Sequence, residues 1–239
     1  MAADAPGDQR CLRVHVGQEL ALGELELCGD GHGYLPCTLS TQLYILQRIP
    51  VQTKLLPRAE RRASILRGAA EAFARSGFAP TSMEDVAAAC GVTRLILYRH
   101  FETKEDLYRA VLQEVFDRLG QELEAELAAG NTRGLGARTL LTVAREEPGA
   151  FTLLWRHAAR EPQFAEYASE LRSISVAVLR QFVALDSGDP VLDVWMGEAL
   201  FGWLVEATLT WLERGDPSRD GEFVERTTAG LRALRAAWS

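Results

Sequence analysis

The chain has 239 residues, 47% of them hydrophobic and 25% charged, with a formal net charge of −7. That suits one larger or two small globular domains. It excludes a wholly disordered or collagen-like chain and a polycation that coats nucleic acid. No apolar run approaches the roughly 18 residues of a transmembrane helix, and Met1 to Asp8 lack the basic and apolar regions of a secretory signal, so a cytoplasmic protein is expected.

Of the 26 basic residues only Lys54 and Lys104 are lysine. With abundant alanine, this composition points to a GC-rich, bacterial coding sequence. Charge divides the chain unevenly. Residues 1–50 carry 3 basic and 6 acidic side chains, residues 51–109 carry 10 and 7, and residues 110–239 carry 13 and 20. A basic middle segment in an acidic protein is a local footprint for an anionic partner.

The first segment, 1–50, reads as an N-terminal extension. Leu12, Val14 and Val16, then Leu20 and Leu22, then Leu25 and Leu27, alternate with a strand-like period of two and a phase slip. The run from Gly29 to Gly33 is a loop signal. Two or three short strands do not make a stable unit alone, so this stretch is expected to be flexible or to precede the true start of translation. Cysteines stand at 11, 28, 37 and 90, without any CxxC pair. The spacings Cys11-x3-His15 and Cys28-x3-His32, with Cys37 close behind, are looser than those of zinc knuckles, and no metal is expected.

From there the chain reads as helix after helix. Glu60 to Ser76 place Ile65, Ala69, Ala72 and Phe73 on one face, and Gly77 stops the helix with Phe78 set to pack back. Ser82-Met83-Glu84-Asp85 resembles a capping box with Asp in place of Glu and opens a short helix, Met83 to Cys90. Gly91 suits a left-handed corner, and Thr93 caps the next helix, Arg94 to Phe101. Thr103 to Asp106 open a long helix through about Leu127. Two short helices joined by a glycine turn are the helix-turn-helix pattern, with Val86, Ala87, Val92 and Leu97 as its core. The second helix offers Thr93, Arg94, Tyr98 and Arg99 to a major groove.

Several separated elements occur here in order: Phe73 to Phe78, Thr81 to Ala87, Cys90 to Thr93, Leu97 to Phe101 and Lys104 to Leu107. Over about residues 58–109 the chain resembles the N-terminal domain of TetR/AcrR-family transcriptional regulators. The resemblance implies a homodimer, an all-helical ligand-binding domain, and repression released by a small molecule. It assigns Thr93 to phosphate or base, Tyr98 to a phosphate or a thymine methyl, and His100 and Lys104 to positions the family uses, the lysine at a phosphate beside a helix N-terminus. Arg94 stands at a variable position and can read guanine. The candidate DNA-binding set is Ser82, Thr93, Arg94, Leu95, Tyr98, His100 and Lys104.

Two residues depart from the family pattern. Leu95 replaces a frequent glycine or alanine, and either contacts a thymine methyl or packs inside. Cys90 replaces a common alanine, and is either a redox thiol or a small buried residue. Lys54, Arg58, Arg61 and Arg62 form either a basic arm for the minor groove or a solvated helix start.

Residues 110–239 are expected to hold the effector site and the dimer interface. Pro148-Gly149, Pro162, Gly188-Asp189-Pro190 and Gly215-Asp216-Pro217 punctuate helices near 134–147, 150–160, 163–185, 191–214 and 221–238. The helix from Val191 is apolar nearly all round, and Thr227, Leu231, Leu234 and Trp238 form a seam, which together predict a four-helix dimer interface. Phe116, Phe151, Trp155, Phe164, Tyr167 and Trp195 are candidate pocket walls and His157 a polar contact, though aromatics at helical spacing also build ordinary core.

The expected architecture is all-α: an N-terminal three-helix helix-turn-helix domain at 51–109, then a C-terminal helical ligand-binding and dimerisation domain at 110–239. The expected function is a DNA-binding transcriptional regulator, a repressor that binds a palindromic double-stranded operator as a homodimer and is released by a small apolar effector, without cofactor. The alternative is a helical ligand- or partner-binding protein that no longer reads DNA. No Ser-His-Asp order, HExxH or P-loop supports an enzyme.

Overall fold

The computed structural model describes the strands at 12–14 and 25–27 and residues 57–238 apart from 184 and 186. The chain divides into two compact units, Met1–Leu55 and Leu56–Ser239. In the first, β1 (Leu12–Val14) and β2 (Leu25–Leu27) pair antiparallel, with Leu12 opposite Leu27 and Val14 opposite Leu25. The period-two pattern becomes strand at these two places. Val16, Leu20, Leu22, the glycine loop, Lys54 and the candidate zinc ligands Cys11, His15, Cys28, His32 and Cys37 lie outside the described residues.

The second unit is all-α. Helix α1 (Arg58–Ser76) buries Ile65, Ala69, Ala72 and Phe73 as its spacing predicts, with Leu66 and Ala70 beside them. Phe78 packs back beyond the end of α1, its ring centroid 5.9 Å from that of Phe73. Helix α2 (Met83–Ala89) starts in a complete capping box. Gly91, with φ of +63°, makes the corner that a β-carbon would disfavour, and Thr93 caps α3, Arg94–Tyr98. The last is shorter than the sequence suggests. After Tyr98 the backbone tightens, the His100 and Phe101 amides both donating to the Leu97 carbonyl, and Phe101 turns into the core.

Helix α4 (Lys104–Ala128) is capped by Thr103, whose hydroxyl accepts the Asp106 amide at 3.0 Å. It belongs to both halves of this unit. Its first turns bury Leu107, Tyr108, Val111 and Leu112, and Tyr108 meets Phe73, Phe78 and Phe164 at centroid distances of 5.1, 5.1 and 4.2 Å. One continuous apolar core therefore runs from Ile65 and Leu97 to Val143 and Leu200.

Helix α5 spans Leu135–Glu146. Pro148 then opens α6 (Pro148–Thr152) at the position where a missing N–H costs nothing. The chain continues through one π-helical turn, Leu153–His157, and a 3₁₀ turn, Ala158–Arg160. Helices α7 (Ala165–Val183), α8 (Pro190–Arg214) and α9 (Asp220–Trp238) complete the unit. Asp189 caps α8 by accepting the Val191 amide at 2.8 Å.

Helix α8 divides its apolar surface. Met196, Leu200, Phe201, Leu204 and Val205 are buried, whereas Val191, Leu192, Val194, Trp195 and Trp203 are exposed, Val191 to 75%. On α9, Thr227 and Leu231 of the expected seam line an open pocket, and Trp238 packs on Trp195 at 4.9 Å. Among the described residues no helix is long and apolar enough to cross a membrane, and no cluster of metal-ligating side chains occurs.

Candidate functional site

The first candidate surface is the outer face of α2, the Gly91 turn and α3. Leu97 is fully buried and pins α3 to the core, which leaves Thr93, Arg94, Leu95, Tyr98 and Arg99 exposed together. Arg94 ion-pairs with Glu84 on α2, lies 5.2 Å from the centre of the Tyr98 ring, and donates to the Tyr98 hydroxyl at 3.3 Å. That network holds a cation and a phenol side by side on the exposed face. Leu95 is 64% exposed, so the inward-packing reading is excluded.

The start of α1 joins this surface. Burial, followed by the positive charges of Arg58, Arg61 and Arg62, pushes the His100 imidazole below its ordinary pKa. The charges of those three arginines thus reach the His100 ring. Arg62 also pairs with Glu114 at 3.1 Å and lies over the Phe101 ring.

Two members of the expected DNA-binding set are committed internally. The Ser82 hydroxyl donates to Asp85 Oδ2 at 2.6 Å and accepts the Asp85 amide at 3.1 Å, which makes it a helix cap. Lys104 Nζ lies 4.1 Å from the centre of the Phe78 ring and donates to the carbonyls of Phe78, Ala79 and Thr81 at 2.9, 3.4 and 3.0 Å. An ammonium has three donors, and all three are spent on the loop between α1 and α2. The lysine thereby fastens that loop. Cys90 is likewise structural: its thiol donates to the Ile65 carbonyl at 3.4 Å, and burial pushes its pKa up to about 11.

The second candidate site is an apolar cavity of about 460 Å³ among α4, α5, α7, α8 and α9, inside the roughly 300–1,000 Å³ range of small-molecule sites. Phe116 and Trp155 line it as expected. The other candidate walls do not. Phe151 and Phe164 are fully buried among core neighbours, the latter against Tyr108. Tyr167 stacks under Arg109 and hydrogen-bonds Gln113. Trp195 is 52% exposed on the outer side of α8. His157 stands outside the cavity lining, its pKa lowered by burial and then by Arg160 and Arg156.

Sequence reasoning missed Thr139, Ile174, Phe182, Phe201 and Thr228 in the wall. Helical periodicity separates inside from outside, but does not say whether the inside neighbour is a side chain or a void. The one available signal was Thr139, a hydroxyl on the apolar face of α5. It is buried without a hydrogen-bond partner, as is the indole Nε1 of Trp155.

The pocket is linked to the helix-turn-helix by short covalent distance. Six residues after Trp155, Glu161 Oε1 accepts the Phe78 amide at 3.2 Å, at the loop that Lys104 also holds.

Residues 65–111 match the family described as bacterial regulatory proteins, tetR family. The chain is 28% identical over 178 residues to the transcriptional activator FasR of Mycolicibacterium smegmatis, covering 72% of this chain and 81% of that one. This chain carries the tetR-family regulatory segment at residues 65–111. It is also 29% identical over 170 residues to the repressor KstR2 of the same organism, covering 66% and 82% of the two chains. The regulator TtgR of Pseudomonas putida is 40% identical over 70 residues, 28% of this chain and 33% of TtgR. Among solved structures, a TetR-like regulator from Rhodococcus sp. RHA1 shares the fold with a TM-score of 0.61 at 21% identity, covering 75% and 96% of the two chains. The chain is thus a DNA-binding transcriptional regulator, and tetR-family regulators typically act as dimers on DNA operators.

Proposed function

We propose that this regulator is a homodimeric repressor that binds a palindromic operator through Thr93, Arg94, Leu95 and Tyr98, and leaves it when a small, mostly apolar molecule enters the internal cavity. The carrying observation is that the cavity and the helix-turn-helix share one core, so neither is free to repack alone. An exposed leucine beside an exposed threonine suits contact with a thymine methyl, and Arg94 suits guanine. Arg58 and Arg61, next to His100, suit phosphate. The exposed apolar residues of α8 give a second copy a surface to cover. Two recognition helices would then meet half-sites about 34 Å apart, or a multiple of that. An occupant that favours another spacing opposes DNA, and DNA opposes it by the same factor. Such a protein works in the cytoplasm, where the DNA lies.

The test is fluorescence anisotropy with the duplex flanking the chain's own gene, across a salt series, with Tyr98→Ala alongside. Specific binding that weakens with salt and is lost in the folded variant supports the reading. Binding without sequence preference, or unchanged in Tyr98→Ala, sinks it. Transcription from that promoter, measured with and without the regulator, separates repression from activation.

A further inference from the structure

The cavity wall contains two polar groups with nothing to bond. Thr139 is only 6% exposed and its hydroxyl has no partner, and the Trp155 Nε1–H, also buried, has none. Both residues line the cavity. Buried polar groups are nearly always satisfied, and leaving one orphaned is costly. Two in one wall point to an occupant that supplies the missing partner. An indole N–H only donates, so that partner is an acceptor.

The surroundings fix its charge. Trp155 packs edge-on against Phe201 at 5.2 Å, and Leu119, Leu140, Phe201 and Leu204 are among the buried residues of the wall. No lysine, histidine or carboxylate lines the cavity, and its two arginines, Arg232 and Arg235, are exposed on α9. An anion set among those leucines, away from the two arginines, would lose its hydration without gaining a counter-charge. A neutral oxygen loses little and gains two donors.

We propose that the cavity takes a mostly apolar molecule carrying one neutral oxygen acceptor, such as a ketone or ester carbonyl, held by the Trp155 indole N–H and the Thr139 hydroxyl. This deepens the effector reading above and rests on it for its regulatory meaning. Its chemistry is testable apart from DNA. Benzophenone and diphenylmethane have nearly the same shape and differ by the carbonyl oxygen.

Equilibrium dialysis of both compounds against the full-length protein is expected to show benzophenone bound about tenfold more tightly, the gain of well-placed hydrogen bonds over none. Thr139→Val and Trp155→Phe should each erode that preference and leave diphenylmethane nearly unchanged. Equal binding of the pair by the wild type, a preference that survives both substitutions, or retention of neither compound would overturn the proposal. A reading without ligand guards against a folding artefact. Replacing an unpartnered hydroxyl by a methyl should leave the Tm of Thr139→Val at or above that of the wild type, and a clear fall would mean that the hydroxyl already has a protein partner. Operator anisotropy run in parallel separates the two ideas. Selective ketone binding without release of DNA keeps this proposal and sinks the effector reading. Equal release by both compounds does the reverse.

Discussion

Lys104 illustrates how one side chain's bonding decides its role. Its ammonium donates to three carbonyls and lies against the Phe78 ring, so it holds the loop that sets α1 against α2. Lys104→Met should therefore lower the Tm by several degrees and weaken operator binding through that loss of order. The slope of log K against log salt should stay at the wild-type value, because no counterion-releasing phosphate contact is removed. A phosphate-binding lysine would instead reduce the slope by about one unit and spare the Tm. His100 makes a second residue-level case. Burial and three neighbouring arginines lower its pKa in the folded chain, so the unfolded chain binds the proton better. Its contribution to stability is complete above the ordinary value of about 6.5 and declines as the pH falls through it. Thermal melts between pH 7.5 and 5.5 should show a steeper loss of Tm for the wild type than for His100→Gln, and parallel curves would refute this. His157, lowered by burial and by Arg160 and Arg156, acts in the same direction.

At the scale of elements, α1 and α2 approach one another through Gly68. A β-carbon there would meet Cys90 Sγ at 2.7 Å and Cys90 Cα at 3.2 Å. Gly68→Ala should cost about 1–3 kcal/mol as overpacking, read from denaturant melts. Adding Cys90→Ala should recover part of that, since the sulfur leaves and the backbone contact stays. Strict additivity would show that the two residues do not compete for the same space. The same packing explains why Cys90 is no redox switch: a thiol whose pKa is pushed up to about 11 carries almost no thiolate at neutral pH. The elements themselves were largely legible. The α1 stripe, the Ser82 and Thr103 caps, the Gly91 corner and the proline starts of the later helices all act over one to four residues, the range at which a sequence speaks plainly. The π-helical turn at Leu153–His157, which buries Leu153 and Leu154, was not legible, because no local motif announces it.

At the scale of the molecule, a continuous core joins the helix-turn-helix to the cavity, and Glu161 grips the Phe78 amide only six residues beyond the cavity-lining Trp155. The exposed apolar part of α8 gives this scale its own prediction. Val194 is half exposed and stands beside Leu192 and Trp195, which are exposed too. Val194→Glu should leave the monomer folded and shift the protein from dimer to monomer in size-exclusion chromatography with light scattering, with operator affinity falling by at least tenfold. A dimer that persists unchanged would place the interface elsewhere.

The sequence by itself determined the all-α character of the main unit, the helix-turn-helix and the surface that α3 presents. Those follow from periodicity, caps and turn residues, each set by near neighbours in the chain. Only the tertiary structure decided which inward-facing residues meet a void. It retained Phe116 and Trp155 as cavity walls, returned Phe151 and Phe164 to the core, put Trp195 on the outside of α8, and turned Thr227 and Leu231 toward the cavity. It also gave Lys104 its three carbonyls and left Thr139 and Trp155 without partners. The physical reason is common to all of these. A cavity, an ion's partners and an orphaned donor depend on atoms brought together from distant parts of the chain, and the spacing of residues along one helix carries no record of what the neighbouring helix leaves empty.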